Sequence, residues 1–160
     1  MPTQIEKARA FRVLHERSGT FVIPNPWDPG SARLLASLGF EALTSTSAGF
    51  AFSRGLPDYG VARDTILAHV ADLAAATDVP MAADLENGFG DGPETVAETI
   101  RLAGATGIVG GSIEDATGRA DAPIYSLEAS VDRVRAAVEA ARSLPFPFTL
   151  TARAENHLHG

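Results

Sequence analysis

Apolar segments with strand character alternate with amphipathic helical patterns along the whole chain. Five strands are predicted, at residues 21–24, 40–45, 80–86, 107–114 and 147–153. No short hairpin signal joins any two of them, so the connections are crossovers and the sheet is expected to be parallel. An open doubly wound sheet and a (β/α)8 barrel both satisfy this alternation.

The segments between the strands carry helix signals. Residues 3–17 form an amphipathic pattern behind Thr3 as an N-cap, and a second helix is predicted from Pro29 to Gly39. Residues 46–60 are instead predicted to be a long loop of small residues in which Asp58 is the only acid. Three further helices are marked by Ile66, Val70 and Leu73, by Val96, Ile100 and Ala103 behind Pro93, and by Val131, Val134 and Val138.

The polar residues that follow the strands favour a barrel. In a barrel enzyme the carboxyl ends of all strands surround the site, whereas an open sheet concentrates its polar groups at one switch point. We therefore expect a single α/β domain over residues 1–160, made of about five βα units of a (β/α)8 TIM-type barrel. Polar residues follow all five predicted strands: Asn25 and Asp28, Ser45 to Ser47 and Asp58, Asp84 and Glu86, Glu114 and Asp115, and Arg153 and Glu155.

Composition and missing motifs exclude several classes of function. The net charge is −7 and no cluster of Lys and Arg stands out, so neither nucleic acid nor an anionic membrane is an expected partner. The glycines at positions 88, 90 and 92 do not form GxGxxG, and no phosphate-binding GxxxxGK[ST] is present. The chain has no cysteine, no signal-peptide core and no apolar run of membrane-spanning length, so a cytoplasmic protein is expected.

Four carboxylates at three successive strand ends are the candidate metal ligands. Asp84 and Glu86 are two residues apart, which would place both side chains on one face of a strand over residues 80–86. Together with Asp58 and Glu114 they would repel one another unless a cation lay among them, and oxygen-only ligands indicate Mg²⁺ or Mn²⁺. The alternative is that Asp84 and Glu86 merely open a glycine-rich turn.

Arg153 is the candidate anion-binding residue. Its guanidinium can form a two-point contact with a substrate carboxylate or phosphonate at the end of the last predicted strand. The alternative is a salt bridge across the barrel mouth to one of the acids.

Four segments resemble motifs of the isocitrate lyase/phosphoenolpyruvate mutase superfamily, in the same order and at similar spacing. TSTSAGFAFSRGLPDYG (44–60) is similar to the family's Ser-Gly-rich loop that ends in Pro-Asp, and MAADLENGFG (81–90) is similar to V-D-A-D-x-G-Y-G. SIEDA (112–116) is similar to I-E-D, and TARAE (151–155) to A-R-T-D. The resemblance implies a Mg²⁺-dependent barrel that acts on small α-oxycarboxylic acids through an enolpyruvate-like oxyanion.

The resemblance also implies roles for individual residues. Asp58, Asp84, Glu86 and Glu114 would surround the metal, partly through water, and Asp58 and Glu114 would be catalytic together with Arg153, the anion clamp. The segment Ser45, Thr46 and Ser47 would donate backbone hydrogen bonds to the substrate carboxylate.

Departures from the motifs narrow the expected chemistry. Glu86 replaces the second aspartate, and Thr46 and Ser47 stand where glycines are expected. The loop over residues 116–126, expected to act as a lid carrying Gly118 and Arg119, lacks the K-x-C-G-H signature of the isocitrate and methylisocitrate lyases. A phosphonomutase or oxaloacetate decarboxylase type of activity is therefore expected, on a small carboxylic acid. A catalytically silent barrel-fold binding protein and an unrelated sugar-phosphate barrel enzyme are the alternatives.

The remaining expectations concern completeness and the histidines. The family's barrel has eight strands and five are counted here, which predicts an incomplete copy or truncated product that associates, and a homo-oligomer for the enzyme. His15 and His69 are expected to be structural or surface residues. His157 and His159 alternate after the last strand and are either a metal pair or part of a solvated terminus.

Overall fold

The computed structural model describes residues 2–159, which contain four parallel strands separated by helices. The strands are β1 (Leu43–Thr44), β2 (Met81–Asp84), β3 (Gly110–Glu114) and β4 (Thr149–Arg153). The helices are α1 (Gln4–Glu16), α2 (Pro29–Ser37), α3 (Ser47–Ser53), α4 (Arg63–Ala76), α5 (Pro93–Gly104), α6 (Leu127–Arg142) and α7 (Asn156–His159).

The order of the strands in the sheet is their order in the chain. Each strand pairs in parallel with the next, and the pairs include Leu43 with Met81 and Glu114 with Arg153. This confirms the parallel sheet, and no switch point occurs within these four strands. The carboxyl ends of β1 to β4 consequently meet at one edge of the sheet.

Local signals fix the two N-terminal helices where the sequence predicts them. The Thr3 hydroxyl accepts from the Glu6 amide while the Glu6 carboxylate accepts from the Thr3 amide, which closes a capping box at the start of α1. Asp28 caps α2 by accepting from the Ser31 amide, and Pro29 occupies the first turn. The apolar faces of the helices and the strands form one core, whose fully buried members include Leu43, Ile66, Leu73, Met81, Leu85, Ile100, Ile108 and Ile113.

The predicted strand over residues 21–24 is wrong. A single hydrogen bond, from the Thr44 amide to the Pro24 carbonyl at 3.2 Å, links this segment to β1. Pro26 has no N–H group with which to continue the ladder, and the Thr44 carbonyl instead accepts from the Asn25 side-chain amide at 3.2 Å. The described residues 2–159 therefore contain four strands in the sheet, not five.

Two other segments also differ from expectation. Residues 46–60 are not a continuous loop, because Ser47–Ser53 forms α3, with the Thr46 hydroxyl accepting from the Gly49 amide at 3.1 Å. The predicted strand 80–86 ends at Asp84, and Glu86 has a left-handed φ of 49°.

Within residues 2–159 no helix is both long enough and apolar enough to cross a bilayer.

Candidate active site

A cavity of about 500 Å³ opens at the carboxyl ends of the strands. We call it the acid cavity, defined by Asp58, Asp84, Glu114, Arg153 and the segment 44–48 in its wall. Three of the four predicted metal ligands are thus brought together, and the predicted anion clamp lies beside them. The strand register explains the meeting, because β1, β2, β3 and β4 each end at this edge.

Asp84 is held by groups that were expected to bind substrate. Its Oδ2 atom accepts from the Ser47 amide at 3.1 Å and from the Ser47 hydroxyl at 2.8 Å, while its own amide donates to the Ser45 hydroxyl at 3.0 Å. The Ser45 amide donates to the Ala82 carbonyl. Ser45 and Ser47 therefore fix the position of Asp84, and the Thr46 hydroxyl caps α3.

Glu114 is less exposed than Asp84, the other strand-end acid of the cavity wall. Its side chain is 6% exposed, and its Oε1 atom accepts a hydrogen bond from the Tyr59 hydroxyl. Burial raises the pKa of Glu114, and the Asp84 charge adds to the rise, while the Tyr59 hydroxyl and the Arg153 charge oppose it. Burial and the hydrogen bond to Glu114 raise the pKa of Tyr59, so the phenol keeps its proton and serves as a donor.

Arg153 forms the salt bridges that were the alternative to an anion-binding role. Its Nη1 atom is 4.0 Å from Asp84 Oδ2 and 3.7 Å from Glu114 Oε2, and its Nε atom contacts Glu155. The side chain is nevertheless 47% exposed and lies in the wall of the acid cavity. The two longer contacts are weak enough that an anion in the cavity could take over the Nη1 atom.

Glu86 lies behind the acid cavity. Because β2 ends at Asp84 and the chain turns, Glu86 lines a neighbouring cavity of about 380 Å³, and Tyr59 lies in the wall of both. Glu86 is 4% exposed. Burial, followed by repulsion from Asp84, Asp58 and Glu114, raises its pKa to about 8. The four predicted acids therefore influence one another electrostatically, although Glu86 does not share the cavity wall.

The segment 116–126 is a hairpin-like flap beside the cavity, fastened to the loop after β2. Ala116 and Ile124 form an antiparallel bridge, and the Arg119 guanidinium contacts the Asp91 carboxylate at 2.8 Å. The Tyr125 hydroxyl donates to the same carboxylate at 2.5 Å. Arg119, one of the two residues named in the predicted lid, is thus paired with Asp91.

Arg133 on α6 holds the loop after β2 by hydrogen bonds to its main-chain carbonyls. Its side chain is 1% exposed and donates to the carbonyls of Gly90 at 2.6 Å, of Asp91 at 2.5 Å and of Asn87. Its guanidinium also lies 4.0 Å from the centre of the Tyr125 ring. The flap, the loop after β2 and α6 are therefore joined through one buried cation.

Sequence reasoning missed Tyr59. The residue has a left-handed φ of 58°, which turns its ring towards Glu114, 55 positions away in the chain. Gly118 of the flap packs on the same ring, and a Cβ atom at that position would lie 2.8 Å from Tyr59 Cδ1. Neither contact has a local sequence signal, because each depends on how separate strand ends are brought together.

A family model for phosphoenolpyruvate phosphomutase matches residues 11–160. The chain belongs to the isocitrate lyase/phosphoenolpyruvate mutase superfamily. Its fold is that of the superfamily's TIM-type α/β barrels, which confirms the predicted fold class.

Three comparisons show how far the similarity extends. A Burkholderia cenocepacia J2315 protein proposed to be a lyase or mutase is 69% identical, with a TM-score of 0.96 over 98% of this chain and 57% of that chain. The 2-methylisocitrate lyase of Escherichia coli (strain K12) is 31% identical over 140 residues, which are 82% of this chain and 47% of that enzyme. An oxaloacetate acetylhydrolase with bound oxalate is 31% identical, with a TM-score of 0.85 over 98% of this chain and 55% of that chain. The chain spans about half the length of these relatives.

Members of this superfamily depend on a divalent metal, and the donor set of this member is suited to one. Within residues 2–159, no group of three or more acidic or histidine side chains is already arranged around a common metal position. Mg²⁺, however, needs only one or two direct carboxylates and keeps several waters. The raised pKa values of Glu86 and Glu114 arise in part from acid–acid repulsion that a cation would relieve. Asp84, whose side chain is 14% exposed and faces the cavity, is the best placed direct ligand.

Proposed function

We propose that this superfamily member cleaves a C–C or P–C bond next to the carbonyl of a small α-keto or phosphonate acid. The observation that carries the proposal is the acid cavity itself, in which Asp58, Asp84 and Glu114 meet Arg153 at the ends of three parallel strands and the loop after β1. Three acids and one exposed guanidinium suit a site that holds a cation and an anionic substrate side by side.

The metal would be held directly by Asp84 and through water by Asp58, Glu86 and Glu114. When bound, Mg²⁺ or Mn²⁺ supplies a Lewis acid that stabilises an enolate-like oxygen. Asp84 is already fixed for this task, because Ser47 donates two hydrogen bonds to its Oδ2 atom.

Arg153 would bind the anionic end of the substrate. Its Nη1 atom is only loosely paired at 3.7 and 4.0 Å, and the side chain is anchored at Nε by Glu155. Exchange of the two weak contacts for a substrate carboxylate or phosphonate would leave the anchor intact. The Tyr59 hydroxyl, which donates to Glu114, would keep that carboxylate oriented while Arg153 turns to the substrate.

The composition argues against the reaction of the E. coli relative. The superfamily lyases that resemble this chain use a flap cysteine to deliver a proton to the leaving carbanion, and this sequence contains no cysteine. The segment 116–126 also contains neither histidine nor lysine. We therefore expect turnover of oxaloacetate or phosphonopyruvate, with isocitrate and 2-methylisocitrate untouched.

Assay of these four acids in the presence of Mg²⁺ tests the proposed reaction. Efficient cleavage of isocitrate or 2-methylisocitrate would overturn it, and so would failure to turn over any of the four.

Calorimetric titration with Mg²⁺ tests the metal separately. The Asp84→Asn variant preserves the shape of the side chain, and we expect it to lose binding, whereas Glu139→Gln, an exposed change on α6, should bind like the parent. Circular dichroism of both variants checks that they are folded. Equal Mg²⁺ binding by Asp84→Asn and the parent would remove the metal assignment.

A further inference from the structure

His159 lies where two cavities meet. The acid cavity and an adjoining cavity of about 430 Å³ beneath the flap share Tyr59, Ala116 and His159 in their walls. The adjoining cavity is otherwise lined by flap residues, including Gly118 and Arg119. The imidazole therefore stands between the acids and the underside of the flap.

The position of His159 follows from the end of β4. The Glu155 amide donates to Asp115 Oδ1 at 2.7 Å, and the Glu155 carboxylate contacts Arg153. α7 begins at the next residue, and the Leu158 amide donates to the Glu155 carbonyl at 2.9 Å. Leu158 and His159 then both line the acid cavity. The turn is thus tied to the strand that carries the anion clamp.

The other wall groups are poorly suited to supply a proton. The arginines stay protonated throughout the physiological range, and the Tyr59 proton is already used in the hydrogen bond to Glu114. Asp84 and Glu114 lie within salt-bridge distance of Arg153 and are assigned to the proposed cation. An imidazole can both hold and donate a proton, and His159 is the only imidazole among the described residues that line the two cavities.

We propose that His159 is the general acid of the reaction and delivers its proton from the end of β4, not from the flap position that the lyases use. The inference rests on the proposed function. For oxaloacetate, the electron pair of the broken C3–C4 bond leaves CO₂ and forms the enolate of pyruvate. The imidazolium N–H proton then passes to C3, which gives pyruvate and neutral imidazole, and solvent restores the proton.

The adjacent histidine provides a matched control. His157 belongs to the same short helix and is exposed like His159, but it lies in the wall of neither cavity. His159→Gln and His157→Gln thus each remove one imidazole from the same short helix. Only His159→Gln removes an imidazole from the cavity walls.

Chemical modification tests the location of His159 without reliance on turnover. The parent is treated with diethyl pyrocarbonate with and without oxalate plus Mg²⁺, and the modified histidines are quantified by mass spectrometry. We expect oxalate to slow modification of His159 at least about fivefold and to leave His157 unchanged, because only the first faces the bound anion. Oxalate binding is measured separately by calorimetry.

Kinetics test the role. We expect His159→Gln to lower kcat for oxaloacetate by about 100-fold, the lower range for loss of a general acid, and His157→Gln to match the parent. Any residual turnover by His159→Gln should release enolpyruvate, which is detected by its ultraviolet absorbance before it ketonises in solution.

The outcomes separate the two proposals. If oxalate binds but His159 is not protected, or if His159→Gln turns over oxaloacetate like the parent, the role of His159 is overturned and the proposed function stands. If the parent turns over none of the four acids, the proposed function is overturned and this inference with it, whether or not oxalate binds.

Discussion

Replacement of Glu86 by glutamine should remove most of the pH dependence of folding above pH 5. Burial and the charges of Asp84, Asp58 and Glu114 raise the pKa of Glu86 from 4.5 to about 8. The folded protein therefore holds this proton more tightly than the unfolded chain does. The resulting stabilisation is complete below pH 4.5 and is lost as the pH rises through about 8.

The size of the effect follows from the two pKa values. One pKa unit corresponds to about 1.4 kcal/mol, so the rise corresponds to at most about 5 kcal/mol of the free energy of unfolding. That is a large share of the roughly 5–15 kcal/mol that stabilises a typical domain. Burial also raises the pKa of Glu114, so this group adds a further decrease in the free energy of unfolding as the pH rises.

Urea unfolding at pH 5 and pH 9, with chelator present, measures this decline. We expect the parent to lose about 3–5 kcal/mol between the two values and Glu86→Gln to lose much less, because the amide carries no proton to release. Glu139→Gln, which changes an exposed acid on α6, should behave like the parent. Saturating Mg²⁺ should flatten the decline of the parent. A parent that becomes more stable as the pH rises, or a Glu86→Gln variant with an unchanged slope, would refute the reasoning.

Three further expectations follow from the site and the sheet. Arg153→Lys should lower kcat/KM at least about tenfold, because an ammonium group cannot make a two-point contact with the substrate anion. Steady-state kinetics at saturating Mg²⁺ measures this loss. Tyr59→Phe should lower the free energy of unfolding by about 1–3 kcal/mol, because buried Glu114 loses its hydrogen-bond donor. Urea unfolding measures the difference, and equal stability of variant and parent would show that the hydrogen bond contributes nothing. Sedimentation should show self-association, because Thr151 to Arg153 of β4 are exposed; a monomer that unfolds cooperatively would contradict it.

Elements with a local signal were predictable from the sequence. α1 and α2 begin at caps that the sequence displays, at Thr3 and Asp28, and the apolar spacing identifies α4, α5 and α6. The parallel sheet follows from the absence of hairpin signals between strands. The meeting of Asp58, Asp84, Glu114 and Arg153 follows in turn, because the ends of parallel strands share one edge.

What the sequence could not show depends on backbone details at the strand ends. Strand periodicity places Glu86 on the same face as Asp84, but the strand ends at Asp84 and a left-handed residue sends Glu86 into a different cavity. Residues 46–60 contain the small and turn-forming residues of a loop, and only the packed structure shows that Thr46 caps a helix there. His159 reaches the cavity because β4 and α7 carry it there, and periodicity contains no information about that path.

Arg133 holds the loop after β2 through the main chain of the loop and not through its side chains. The three hydrogen bonds end on the main-chain oxygens of Asn87, Gly90 and Asp91, which every amino acid provides. A substitution at position 91 would release Arg119 and Tyr125 of the flap from the loop but would leave the carbonyl that Arg133 holds. The hold of Arg133 on the loop therefore does not depend on the side chain at position 91, which makes that exposed position a suitable place to diversify a library around this site.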